Sequence, residues 1–274
     1  MITRKSLFPL KLYFGITIFF VILLLSIISF FWTPYQIEVL DINNRFIPLG
    51  DSKFILGTDH FGRDILSMIM IGAKNTLFIA FISLLIGLFF GVPLGLISAG
   101  FLNKTIDDAI MRSNDILFAF PAIVTAIMIT ATFGPSATNA IIAVGIFNIP
   151  VFARLVRASS LPIFEQQFIM AAKASGKGTL RISLEHILPN ISNLIIVQCT
   201  IQFSIGILAE SGLSYIGLGA QPPTVSLGKM LAESQTMVSF APNLAIMPGL
   251  ALFLTILSIN FIGDGLRDLN EDKR

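Results

Sequence analysis

Uncharged apolar runs alternate with short polar stretches along nearly the whole chain. Leu12–Trp32 runs for 21 residues without a charge, enough to span a bilayer core that takes ~20 helical residues. A secretory signal core is shorter and closes on a small-residue cleavage site. This run closes on Trp32, a residue type that favours the interface, so it reads as an uncleaved first membrane helix. Further spans are expected at Thr76–Gly100, Ile116–Phe133, Ser136–Phe152, Ile191–Ala209 and Asn243–Ile262, six in all. Between them lie a polar outer loop over Thr33–Ile71, a short charged loop over Phe101–Ser113, a Gly134-Pro135 turn and a second outer loop reaching Pro242. The run at 76–100 ends in Gly91-Val92-Pro93-Leu94-Gly95; small residues let helices approach closely in a membrane, and the Gly–Pro cluster marks a kink.

One polar island breaks this pattern. Phe164–Asn190 carries Glu165, Lys173, Lys177, Arg181, Glu185 and His186, with Arg154 and Arg157 just before it. Leu161, Phe164, Phe168, Ala171 and Ala172 recur at helical spacing, Gly176-Lys177-Gly178 breaks the helix, and Leu180, Leu184, Ile187 and Leu188 form a second apolar face. Pro189 fits the first turn of the span that follows. The segment therefore reads as two short amphipathic helices hinged at glycines. Spacing alone leaves two tasks open, lying on lipid or fitting a groove on a soluble partner.

The composition supports membrane integration. Only 12% of residues are charged, 54% are hydrophobic and the mean hydropathy is +0.84, whereas soluble domains carry about 25% charged residues. The fold class is thus an all-α integral membrane protein in contact with the lipid bilayer. A net charge of +2 with no Lys/Arg run gives no basis for nucleic acid as a partner. Cys199 is alone, which excludes an intrachain disulfide and a cysteine metal cluster. Ser175-Gly176-Lys177-Gly178-Thr179 is not a phosphate loop, because Ala171 and Gly178 stand where a Walker A motif needs Gly and Ser/Thr. His60 and His186 fall on opposite sides of the expected membrane, so they do not share a metal. No residue is assigned a catalytic or metal-binding role. Charge also orients the chain. Six spans put Arg4, Lys5, Lys11, Lys104, Arg112, Arg154, Arg157, Lys173, Lys177, Arg181, Arg267, Lys273 and Arg274 on one side, and Arg45, Lys53, Arg63, Lys74 and Lys229 on the other. The richer side holds both termini and the polar island, and the positive-inside rule makes it cytoplasmic.

Four motifs carry a family resemblance. Ala171-Ala172, Gly176 and His186-Ile187-Leu188-Pro189-Asn190 resemble the cytoplasmic coupling motif of ABC importer permeases, with Met170 where that motif usually has glutamate. Gly57-Thr58-Asp59-His60-Phe61-Gly62-Arg63-Asp64 resembles the segment before the second helix in permeases for dipeptides, oligopeptides and nickel, specifically the second, C-type permease chain. Ala209–Gly219 and Pro222–Leu231 resemble two further signatures of that family, with Leu227 where Trp is usual, and Gly263–Asp268 closes the chain as there. The resemblance implies a type I importer permease of six transmembrane helices with cytoplasmic coupling helices, in a bacterial inner membrane. It implies an N-terminal tail and first helix (1–32), an outer loop (33–71), a permease core with five spans (72–264, coupling segment 160–190) and a cytoplasmic tail (265–274). It also implies two ATPase subunits carrying ATP and Mg, a second homologous permease chain and an extracytoplasmic solute-binding protein, with no cofactor on this chain. ATPase coupling then falls to Ala171, Ala172, Gly176, Arg181, His186, Leu188 and Pro189. Asp59, Arg63, Asp64 and Lys229 are candidates for docking the binding protein, and Gln198, Gln202 and Glu210 for the pathway.

The substrate reading is dipeptide or oligopeptide, with nickel or a metal–chelator complex as the alternative. An ion-coupled secondary transporter is the reading from a different class. It calls for ionisable groups or broken helices at mid-membrane, and the expected spans carry no charge near their centres.

Overall fold

A computed structural model describes residues 8–101 and 104–271. Arg4, Lys5, Lys273 and Arg274 of the charge count, with the end of the tail, lie outside the described residues. Among the described residues the regular structure is helical, apart from an isolated antiparallel bridge between Thr58 and Asp64. The helices are α1 (Phe8–Ile28), α2 (Ile65–Gly100), α3 (Lys104–Ala119), α4 (Ala122–Phe133), α5 (Ala137–Phe164), α6 (Gln167–Ala174), α7 (Thr179–Ile182), α8 (Leu188–Tyr215), α9 (Leu227–Ser234) and α10 (Asn243–Glu271). Among the described residues five helical stretches are long and apolar enough to cross a membrane, and the bent pair α3–α4 makes a sixth if it is one span.

Several helix ends differ from the sequence pattern. α2 starts at Ile65, inside the expected outer loop, because Asp64 caps it by accepting the Ser67 N–H at 2.8 Å. The expected loop over 101–113 is mostly helix α3. The expected straight span at 116–133 is instead bent by 81° at Phe120-Pro121, since proline disfavours helical backbone at the residue before it. α5 runs on past Arg154 and Arg157 to Phe164. α7 joins α8 through a single π turn over Ser183–Ile187, so the second half of the polar island is continuous with the membrane helix. The wide turn, closed by the Leu188 N–H on the Ser183 carbonyl, comes immediately before Pro189, which has no N–H to give.

α2 and α5 form the spine. Gly87, Gly91 and Gly95 lie four apart on one face of α2 and meet Asn148, Phe152 and Val156 of α5 without intervening side chains. α1 packs on α10, with Gly15 against Ser258 and Phe261, and Gly265 against Leu12. At one end, Phe152, Val156, Ile169, Ile182, Ile187 and Ile191 share one buried cluster, which welds the polar island to the bundle. At the opposite end, Ile37, Ile65, Met68, Leu227, Met230 and Leu244 share another, which packs the two expected outer loops on each other.

Candidate functional site

The polar island is built around the end of α6. Ser175 closes the helix, Gly176 follows at φ +82°, the Gly176 N–H donates to the Lys173 carbonyl at 3.0 Å and the Lys177 N–H to the Ala172 carbonyl at 3.1 Å. This is the Schellman arrangement, which needs left-handed backbone after the cap and so favours glycine there. Gly176 has open space around it, so its task is the turn and not a close fit to a neighbour within this chain. Glu185 then ties the two halves together, accepting from Lys177 Nζ at 2.7 Å and Arg181 Nε at 2.5 Å. His186 stands 3.2 Å from the same Lys177 and edge-on to Phe168.

The two apolar faces differ from the helical-wheel expectation. Ile169, Ala172, Ile182 and Ile187 are the buried positions, with Leu188 half-buried against the same cluster. Ala172 therefore contacts the protein's own core. Ala171 and Pro189 face outward with Phe168, Met170 at 59% exposure, Leu184 and Leu180 at 73%. This exposed apolar face shares its segment with six ionisable side chains.

The outer candidates fold inward on themselves. Asp59 is buried and accepts the N–H groups of Phe61 and Arg63, each at 2.8 Å, while its other oxygen holds Arg63 Nε at 2.6 Å. Arg63 also reaches Glu233 of α9 at 3.0 Å, joining the two outer loops. Asp64 is buried as the α2 cap. Gly62 sits at φ +79° against the Asp41 carbonyl, where a side chain has no room. The Gly-Thr-Asp-x-x-Gly-Arg-Asp motif is thus turn chemistry holding a loop in shape, and Asp59 and Asp64 are committed within it. Lys229 is half-buried in the first turn of α9. Asp59→Ala leaves two backbone N–H groups and the Arg63 Nε–H without their acceptor, which costs about 3 kcal/mol. The expected result is a lower thermal midpoint and faster proteolysis of the outer loops in detergent, and an unchanged midpoint would refute this role.

The pathway candidates also turn into the packing. Gln202 is buried and donates to Asn148 Oδ1 at 3.0 Å, and Asn148 donates to the Ser83 carbonyl at 3.2 Å, so one polar node joins α8, α5 and α2. Gln198 is half-buried one turn away. Glu210 lies within α8, not at its end, and is fully buried; Ser214 donates to it at 2.7 Å, and Ser211, Thr76 and Ser226 complete its shell. Glu210, one residue past the span expected from sequence, thus stands inside the helix as a carboxyl among four hydroxyls. The space beside these helices is an apolar cleft of about 530 Å³ lined by Ile123, Ala126, Phe147, Leu208, Gly212 and Tyr215, from α4, α5 and α8. Asn148, Ser83 and Thr76 escaped the sequence reading, because an isolated polar residue in an apolar run carries no signal until its partner across the bundle is known.

The chain matches the family model described as the binding-protein-dependent transport system inner membrane component over residues 91–274. It is 47% identical over 217 residues to the dipeptide transport system permease protein DppC of Alkalihalophilus pseudofirmus, covering 79% of this chain and 71% of that one. It is 40% identical to the glutathione transport system permease protein GsiD of Pectobacterium atrosepticum, covering 93% and 85%. It is likewise 40% identical to the di/tripeptide transport system permease protein DppC of Pseudomonas aeruginosa, covering 82% and 74%. Among solved structures, an inward-facing form of the MetNI methionine ABC transporter superposes with a TM-score of 0.62 at 20% identity, over 76% of this chain and 97% of that one. At that identity the likeness speaks for the fold alone. This chain belongs to the binding-protein-dependent transport system inner membrane component family, as a multi-pass inner-membrane transport permease with the fold of the type I ABC importers.

Proposed function

We propose that this chain forms half of the translocation pathway of an ATP-driven importer of dipeptides or oligopeptides, and that separate ATPase subunits drive it through Phe164–Asn190. The outward face of α6 and α7 carries the reading, because its apolar side chains are presented on a helix pair whose rear face is fixed in the bundle. A groove on each ATPase would receive Ala171, Met170, Leu180 and Leu184, with Arg181 and His186 at its polar rim. ATP and Mg reside on the ATPases. Closure of the ATPase pair shifts α6 and α7 as one rigid body, and the continuous α7–α8 helix carries the shift into the membrane, converting an inward-open bundle to an outward-open one. A second permease chain supplies the other half of the pathway, and an extracytoplasmic binding protein delivers substrate to the outer loops. Both termini face the cytoplasm, in keeping with the charge bias. Relatives named for dipeptides, di/tripeptides and glutathione favour short peptides over nickel as the cargo.

The test is affinity purification of the tagged chain from gently solubilised membranes, beside Gly176→Val. A β-branched residue in left-handed backbone costs about 1–2 kcal/mol and opens the turn that sets α6 against α7. The wild-type chain should bring down two ATPase subunits and a second permease, and the variant should lose most of the ATPase while remaining in the membrane. Equal recovery from both would refute the docking role, and a co-purifying binding protein that takes nickel but no peptide would overturn the cargo.

A further inference from the structure

The inner half of the broken span is clasped to α5 at three levels. Near the start of α3, Asp107 receives Arg157 through both oxygens, from Nε at 2.6 Å and Nη2 at 2.5 Å, and also the Ser98 hydroxyl of α2. Two turns along α3, Asp115 receives Arg154 Nη2 at 2.5 Å, and the same guanidinium lies 4.3 Å over the ring of Phe118. Phe118 then meets Phe147 of α5 edge-on, with ring centroids 5.4 Å apart. Phe147 lines the apolar cleft beside Ile123 of α4, so this ladder climbs from the inner surface to the cleft and ends beside the Phe120-Pro121 break.

The position of the ladder gives it a task. Arg157 lies 20 residues into α5, or about 30 Å from its outer end, which is the thickness of the hydrocarbon core. Both partners of the first rung are at most one-third exposed and meet in the two-bond fork that fixes orientation as well as distance. α5 ends at Phe164, and Phe152 and Val156 on its other face share a buried cluster with Ile169 and Ala172 of α6. A displacement of α6 thus reaches α5 through packing, and reaches α3 through charged groups on a different face of α5.

We propose that the Asp107–Arg157 fork, with Arg154 above it, is a transmission clasp that makes α3 follow the coupling segment, so that the bend at Phe120-Pro121 opens and closes the inner mouth of the cleft in step with ATP hydrolysis. This rests on the ATPase-coupling role given to Phe164–Asn190. Asp107 and Arg157 act as positioning residues and touch neither substrate nor nucleotide.

The test compares wild type, Arg157→Gln and the exchanged pair Asp107→Arg/Arg157→Asp in the full complex in proteoliposomes, with ATPase recovery, ATP hydrolysis and uptake of a labelled dipeptide as readouts. Arg157→Gln should keep the ATPase subunits and hydrolyse ATP at close to the wild-type rate while uptake falls about tenfold, the scale expected when a coupling path is cut. The exchanged pair should recover a substantial part of that uptake. Wild-type uptake in Arg157→Gln, a parallel fall of hydrolysis and uptake, or no recovery in the exchanged pair would overturn the clasp alone. A wild-type chain that carries no ATPase would overturn the coupling role and the clasp together.

Discussion

Gly91→Val is expected to abolish accumulation of the folded permease. A β-carbon at this position would lie 2.5 Å from the Ile149 carbonyl oxygen and 2.7 Å from Phe152 Cβ. One obstacle is backbone and the other is the base of a fully buried side chain, so neither swings aside. Overpacking costs about 1–3 kcal/mol where flexible side chains can adjust. Here α2 and α5 must separate along the seam that Gly87 and Gly95 also close, and the loss is expected at or above that range. The measurement is the thermal midpoint and monodisperse yield of the variant in mild detergent. Gly212→Ala is the control, since a methyl group there meets open space and should leave both unchanged. A Gly91→Val protein with the wild-type midpoint would show that the helix seam is not what holds the spine together.

Glu210→Ala should be nearly as severe, for the opposite reason. The carboxyl is surrounded by hydroxyls of Ser211, Ser214, Thr76 and Ser226, drawn from α8, α2 and the start of α9. Two of those hydroxyls pass the order onward. Ser226 Oγ accepts the Lys229 N–H and caps α9, and Thr76 Oγ1 accepts the Leu227 N–H. Alanine removes the shared acceptor, leaves buried donors unmatched and frees the outer loop from the bundle, at a cost of about 3 kcal/mol. Glu210→Gln keeps the volume and one acceptor oxygen, and hydroxyls can rotate to suit it, so it should retain more than half of the lost stability. Thermal unfolding of the three proteins in the same detergent decides the matter. Equal midpoints for Glu210→Ala and wild type would remove Glu210 from the architecture, and a Gln variant as weak as Ala would mean that the charge itself is required.

The number and order of the spans were legible because hydrophobic runs of the required length leave little alternative in a bilayer. The helix pair of the polar island was legible for the complementary reason that a long polar stretch between two spans is unexpected, and the glycine that ends α6 stands where the pattern breaks. Residues 65–71 fall in the expected outer loop because Ser67 and the polar stretch before it blur the apolar pattern, as Lys74 and Asn75 do just beyond. Those groups have tertiary uses: Ser67 receives the Asp64 cap, and Asn75 donates to the Val225 carbonyl at 2.7 Å. Residues 104–113 fall in the expected charged loop because their charges suggest solvent, whereas Asp107 there, like Asp115 just beyond, pairs with an arginine of α5.

By itself, then, the sequence determined an all-helical, multi-span membrane protein, its charge asymmetry and the place of the polar helix pair between two spans, since each follows from local composition and periodicity. The tertiary structure decided which polar groups are committed to the protein's own interior. Asp59, Asp64, Gln202 and Glu210 look available on the chain, yet each is buried. The partners of Arg63, Arg157 and Gln202 lie 170, 50 and 54 residues away, and only the packed bundle brings such pairs within hydrogen-bonding distance. Burial without those partners would be prohibitively costly, so the same contacts fix the fold, while Ala171, Met170, Leu180 and Leu184 stay exposed.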